Sequence, residues 1–151
     1  MTLVALVIDL QSDFFAHPGL AAQRARLSAN VNALAAAARP AGVPIVWVRQ
    51  EFAPDLADAS LEVRRGSLRV TITGTPGAAL LPELDARPED RFLIKKRYSA
   101  FHGTELDRLL ETLRCDRLIV AGVNSHACVR TTVIDAYQRD YPVFLATDCI
   151  A

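Results

Sequence analysis

No segment of this 151-residue chain approaches the roughly 20 consecutive apolar residues that a membrane-crossing helix needs. Neither sign of charge is in excess: 17 Lys and Arg balance 17 Asp and Glu, the net charge is zero, and no basic run stands out. Nothing in this balance supports a nucleic-acid partner or docking on an anionic membrane. Cysteine is scarce, with Cys115, Cys128 and Cys149 at unrelated spacings and no C-x-x-C. An odd, unpatterned set argues against a disulfide framework and a zinc site, and it fits a reducing, cytoplasmic setting. The apolar start from Leu3 to Ile8 lacks a basic leader and a small-residue cleavage site. It is expected to be a strand and not a signal peptide. Internal repeats are absent, and low complexity is limited to a short Ala run.

What is present is a chain with 51% hydrophobic residues, expected to form one domain over 1–151. Apolar runs from Val4 to Asp9, Pro44 to Arg49, Arg91 to Lys95, Leu118 to Val123 and Pro142 to Thr147 predict five strands. Helical periodicity lies between most of them. Leu27, Val31, Leu34, Ala35 and Ala38 share one helix face that Pro40 ends. Thr104, with Asp107 three residues on, is expected to cap a helix that buries Leu106, Leu109, Leu110 and Leu113. Such alternation implies an α/β fold with a mostly parallel sheet flanked by helices. Between Glu51 and Pro88 the periodicity fades amid Pro and Gly, which predicts a long loop that lids a site or joins a partner subunit.

In an open parallel sheet, ligands bind beyond the carboxyl ends of the strands. Asp9 ends the first strand, Lys95 ends the third, and Cys128 follows the fourth. A carboxylate, a cation and a thiol are the parts of a cysteine hydrolase. Val129, Val133, Ala136 and Tyr137 predict an amphipathic helix with Cys128 in its first turn, where free N–H groups and the helix dipole favour the thiolate. A buried, inert cysteine is the competing reading. His126 lies two residues from Cys128, a spacing that does not face it on a helix, so a Cys-His dyad is disfavoured. Lys96 would point away from Lys95. Phe14, Tyr98 and Phe101 are candidates to line a substrate pocket, or else core. Gln11 and Asp13 are expected to hold local backbone, and Cys115 and Cys149 to pack inertly.

Three blocks resemble the isochorismatase-like cysteine hydrolases, a family that includes nicotinamidases and N-carbamoyl amidohydrolases. They are Val7-Ile8-Asp9-Leu10-Gln11-Ser12-Asp13-Phe14-Phe15, Lys95-Lys96-Arg97-Tyr98-Ser99-Ala100-Phe101-His102-Gly103-Thr104, and Gly122-Val123-Asn124-Ser125-His126-Ala127-Cys128-Val129. Thr75-Pro76-Gly77 and Leu81-Pro82-Glu83-Leu84 lie between the first two. The resemblance implies a three-layer, Rossmann-like fold with a six-stranded sheet. Since five strands are visible and Ala151 follows the fifth directly, the C-terminal part is expected to be truncated. It also implies a triad of Asp9, Lys95 and Cys128, a cis peptide at Val123-Asn124, and an oxyanion hole from the N–H groups of Asn124 and Cys128.

Within such a family, Cys128 favours hydrolysis of a small amide, carbamoyl or ureido compound through a thioester. The alternatives are a vinyl-ether hydrolase of the isochorismatase type and a non-catalytic binding module on the same fold. Nicotinamidases of this type carry an Asp-x-His metal pattern after the second strand, where this chain reads Arg49-Gln50-Glu51-Phe52. Neither a metal nor another cofactor is therefore expected. The expected partner is a small-molecule substrate, and the resemblance and the long loop together imply a homo-oligomer.

Overall fold

Residues 2–151 are described, in a computed structural model. The five apolar runs form β1 (Leu3–Ile8), β2 (Ile45–Gln50), β3 (Arg91–Lys95), β4 (Arg117–Gly122) and β5 (Val143–Ile150). They build one sheet in the order β3-β2-β1-β4-β5, and every neighbouring pair is parallel. The chain steps outward from β1 through β2 to β3, then returns to place β4 on the other side of β1. The strand order thus reverses between β1 and β4, which opens a crevice at their carboxyl ends.

Both faces of the sheet are covered, which is why the central strands read as unbroken apolar runs. On one face α2 (Arg24–Ala38) packs Leu27, Val31, Ala35 and Ala38 against Ala5, Val7 and Trp47. On the other face α4 (Leu106–Thr112) and α5 (Arg130–Tyr137) pack Leu106, Leu110 and Ala136, together with Val129 just before α5, against Val4, Leu6, Ile8, Val46 and Val48. The remaining helices are short, α1 over Pro18–Ala21 and α3 over Leu61–Gly66. β5 runs three residues beyond the expected Thr147, with its register against β4 shifted between Val120 and Gly122.

Two helix expectations are corrected. Thr104 caps through its hydroxyl, which accepts from the Leu106 N–H at 3.2 Å, but Asp107 makes no reciprocal bond and pairs instead with Arg139 at 2.8 Å. Tyr137, read as part of a buried stripe, is the last residue of α5 and 77% exposed, while Thr132 takes the inward place. The segment from Glu51 to Pro88 is also more ordered than a plain loop. It carries α3, pairs Phe52 with Ile72 beside β2, and buries Phe52, Ala59 and Ile72 as a small cluster of its own.

Candidate active site

Gly122, the last residue of β4, permits a close approach to the β1 backbone. Its φ is +123°, and a Cβ there would meet the Ile8 carbonyl oxygen at 2.1 Å. Only glycine lets β4 end flush against the end of β1. Next in the β1 chain, Asp9 has a φ of 56°, an uncommon conformation for a residue other than glycine. Its N–H is held by the Val48 carbonyl at 2.9 Å, and the carboxylate is fully buried.

Lys95 ends β3, two strands from β1, and its side chain crosses the end of β2 to reach Asp9. Its Nζ lies 2.8 Å from Asp9 Oδ2, and both side chains are fully buried. The same ammonium donates to the Arg97 carbonyl at 3.0 Å and lies 3.5 Å from Cys128 Sγ. Asp9, Lys95 and Cys128, far apart in the chain, therefore meet at the switch between β1 and β4. Neither Asp9 oxygen has a partner of good hydrogen-bond geometry, so the pair is held by charge more than by aligned donors.

Burial decides the protonation of this cluster. It raises the Asp9 pKa above the ordinary carboxylate value, although Lys95 pulls it back. The Cys128 thiol is pushed up to about 12, first by burial and then by the Asp9 charge, with Lys95 opposing. The expectation that a helix start would favour the thiolate is thus corrected. Cys128 lies in a π-helical turn, Ser125–Val129, that precedes α5, and burial is the leading cause of its raised pKa. The resting sulfur is a thiol, with the Asp9 carboxyl beside it.

The Val123-Asn124 peptide is cis. Beyond it the Asn124 carbonyl accepts from Val129 N–H at 3.1 Å, which sets the π turn, and Ser125 N–H donates to the Ala151 carbonyl at 2.8 Å. Among the described residues the Asn124 N–H has no protein acceptor. Asn124 and Cys128 both line a cavity of about 760 Å³ outside the strand ends.

Phe14 and Tyr98 line this cavity as expected, and Phe101 does not. Phe101 is 3% exposed on the α4–α5 side, stacked on Tyr141 at 6.4 Å with the Arg139 guanidinium 4.5 Å from its ring. Its block turns after Ser99, and the Ala100 N–H bond to Thr132 at 3.0 Å directs the following residue into the core. The far wall comes from residues that periodicity could not reveal: Phe52, Leu61, Val63, Leu68 and Val70. His102 and His126 are exposed on the rim, and His17 caps α1 by accepting from Gly19 N–H.

Gln11 anchors that wall to the sheet. Its amide donates to the Gln50 and Ala78 carbonyls at 2.7 Å each and accepts from Gln50 N–H at 2.8 Å. Asp13 accepts from Thr71 N–H at 2.6 Å. At the end of β2, Gln50 reaches Thr71 and Glu51 pairs with Arg49 at 3.1 Å. With no histidine there and these groups bound to protein partners, this donor set does not fit a metal ion. Cys115 and Cys149 sit apart from the cluster, both with pKa values raised by burial. Among the described residues no helix is long and apolar enough to cross a membrane.

The isochorismatase domain family matches residues 4–151. The chain is 35% identical over 154 residues to a protein of Arabidopsis thaliana named a probable inactive nicotinamidase, covering 97% of this chain and 79% of that one. It is 28% identical over 163 residues to the ureidoacrylate amidohydrolase RutB of Methylorubrum extorquens, covering 93% and 66%. This chain therefore spans somewhat under two thirds of that relative's length. The crystal structure of N-carbamoylsarcosine amidase from Thermoplasma acidophilum superposes with a TM-score of 0.86 at 27% identity, covering 100% and 84%.

Proposed function

The chain belongs to the isochorismatase family, and we propose that it hydrolyses a small amide, carbamoyl or ureido compound through Cys128 and a thioester. The observation that carries this reading is the buried cluster in which Lys95 Nζ lies 2.8 Å from Asp9 and 3.5 Å from Cys128 Sγ, at the edge of an open cavity. The relatives named for amide and ureido hydrolysis support the same chemistry.

As Cys128 Sγ bonds to the carbonyl carbon, its proton passes to the Asp9 carboxylate and the π electrons move to oxygen. Lys95 balances the charge that Asp9 loses and sulfur gains. The oxyanion is received by the N–H groups of Asn124 and Cys128, two residues that line the cavity. Collapse breaks the C–N bond, and Asp9 returns its proton to the departing nitrogen. Water, deprotonated by Asp9, then adds to the thioester; the C–S bond breaks and the proton goes back to sulfur.

The test is ammonia or amine release from a panel of small amides, carbamoyl and ureido compounds, with Cys128→Ala as comparison and a chelator present. The expected result is release that survives chelation and vanishes in Cys128→Ala. Absence of release from a folded sample contradicts the reading. It would favour vinyl-ether hydrolysis or a binding module, the latter in keeping with the relative named inactive.

A further inference from the structure

Two cationic side chains line the cavity outside the buried cluster, Lys96 and Arg97, and they are held differently. Lys96 is committed to Asp58 at 2.8 Å and to the Glu51 carbonyl. Arg97 has no carboxylate partner among the described residues. One corner of its guanidinium, Nη1, donates to the backbone carbonyls of Asp58 at 3.0 Å and Lys96 at 2.7 Å. The other edge, Nε with Nη2, makes no hydrogen bond, and neither atom is a buried orphan. A guanidinium fixed at one corner with the opposite edge free offers two parallel N–H groups, the fork that fits a carboxylate.

The backbone places this fork close to the chemistry. Lys95 Nζ contacts both the Arg97 carbonyl and Cys128 Sγ, so Arg97 starts beside the nucleophile. Its side chain reaches from there to the carbonyl of Asp58, in the segment that builds the far wall. Glu62 and Asp135 line the cavity without cation partners as well, so a carboxylate is repelled at their positions and has one favourable place.

Building on the proposed amide hydrolysis, we propose that Arg97 is a specificity-determining residue that binds a carboxylate carried by the substrate. The substrate is then a monoacid, its scissile amide or ureido carbonyl at Cys128 and its carboxylate on the Nε and Nη2 edge of Arg97.

Binding of 3-ureidopropionate and of its methyl ester is measured by calorimetry in Cys128→Ala protein, so that no turnover intervenes. With Arg97 present the acid is expected to bind at least tenfold more tightly than the ester. Arg97→Gln should bring the two within about twofold by weakening the acid alone, and Arg97→Lys should fall between, since an ammonium keeps the charge and loses the fork. Equal binding of acid and ester, a preference that survives Arg97→Gln, or no binding of the acid overturns the proposal. Circular dichroism confirms that each variant is folded, and unchanged ester binding shows that the cavity is intact. Turnover of a neutral amide by the protein with Cys128, without acid preference, removes the role of Arg97 and leaves cysteine hydrolysis standing. Acid preference without turnover of any substrate does the reverse.

Discussion

Asp9 illustrates how one residue's environment sets the chemistry. Its carboxyl is more basic than usual because it is buried, and in the proposed mechanism it must be ionised to accept the thiol proton. Activity is therefore lost as pH falls through this raised pKa. The acid limb of kcat/KM should lie above the ordinary aspartate value of about 3.9. A pH-rate profile checks this, and a limb at or below that value would contradict it. The same charge helps hold the Cys128 thiol near 12. Asp9→Asn should thus abolish turnover yet speed alkylation of Cys128 by iodoacetamide at pH 8, because Lys95 then acts on the sulfur unopposed. Slower alkylation in that variant would mean that Asp9 favours the thiolate. Gly122→Ala tests the approach of β1 and β4. With its Cβ driven to 2.1 Å from a backbone oxygen, it should cost about 3 kcal/mol or more in urea unfolding, within the range for large core disruptions.

Secondary elements differ in how plainly the chain announces them. β1, β2 and β4 are covered on both faces, so their apolar runs are continuous and their positions legible to within a residue or two. Asp9 could be picked out for the same reason, as a carboxylate directly after such a run, whereas Lys95 closes the shorter edge strand β3 and Cys128 lies in the turn that follows β4. The cavity's far wall was not legible. Residues 60–70 form no long amphipathic helix, and their order comes from the Phe52–Ile72 pairing and from Gln11 and Asp13, which act across long sequence separations. Phe101 misled because its motif sits beside a strand end, whereas its direction is set by a bond from Ala100 to α5. The π turn at Cys128 was equally hidden, since it depends on where the Asn124 carbonyl points. Gln11→Ala should release this wall: three buried hydrogen bonds are lost at about 1 kcal/mol each. Limited proteolysis should then cut within residues 51–88 faster than in the unaltered protein, and equal rates would refute the anchoring role.

Across the whole molecule, the segment after the cavity is tied to α2 by charge. Arg24 holds Glu83 in a two-pronged pair, and Arg39 holds Asp85 and Asp90, the latter also bound by the Trp47 indole at 2.9 Å. Glu83 is lowered to about 2, with its bond to Arg24 the leading cause. Stability from this pair is present above the unfolded value of about 4.3 and lost as pH falls toward 2. Because both side chains are more than a third exposed, the contribution is under about 1 kcal/mol. Glu83→Gln should remove that part of the acid dependence and leave stability between pH 6 and 8 lower by a similar small amount.

These levels converge on the sulfur of Cys128, and mass spectrometry of rapidly quenched turnover tests it directly. A hydrolysed amide or ureido substrate should leave an acyl or carbamoyl adduct on Cys128 that builds up within a turnover, decays with water, and is absent in Cys128→Ala. Hydrolysis that continues in Cys128→Ala, with no adduct on the unaltered protein, would contradict the account.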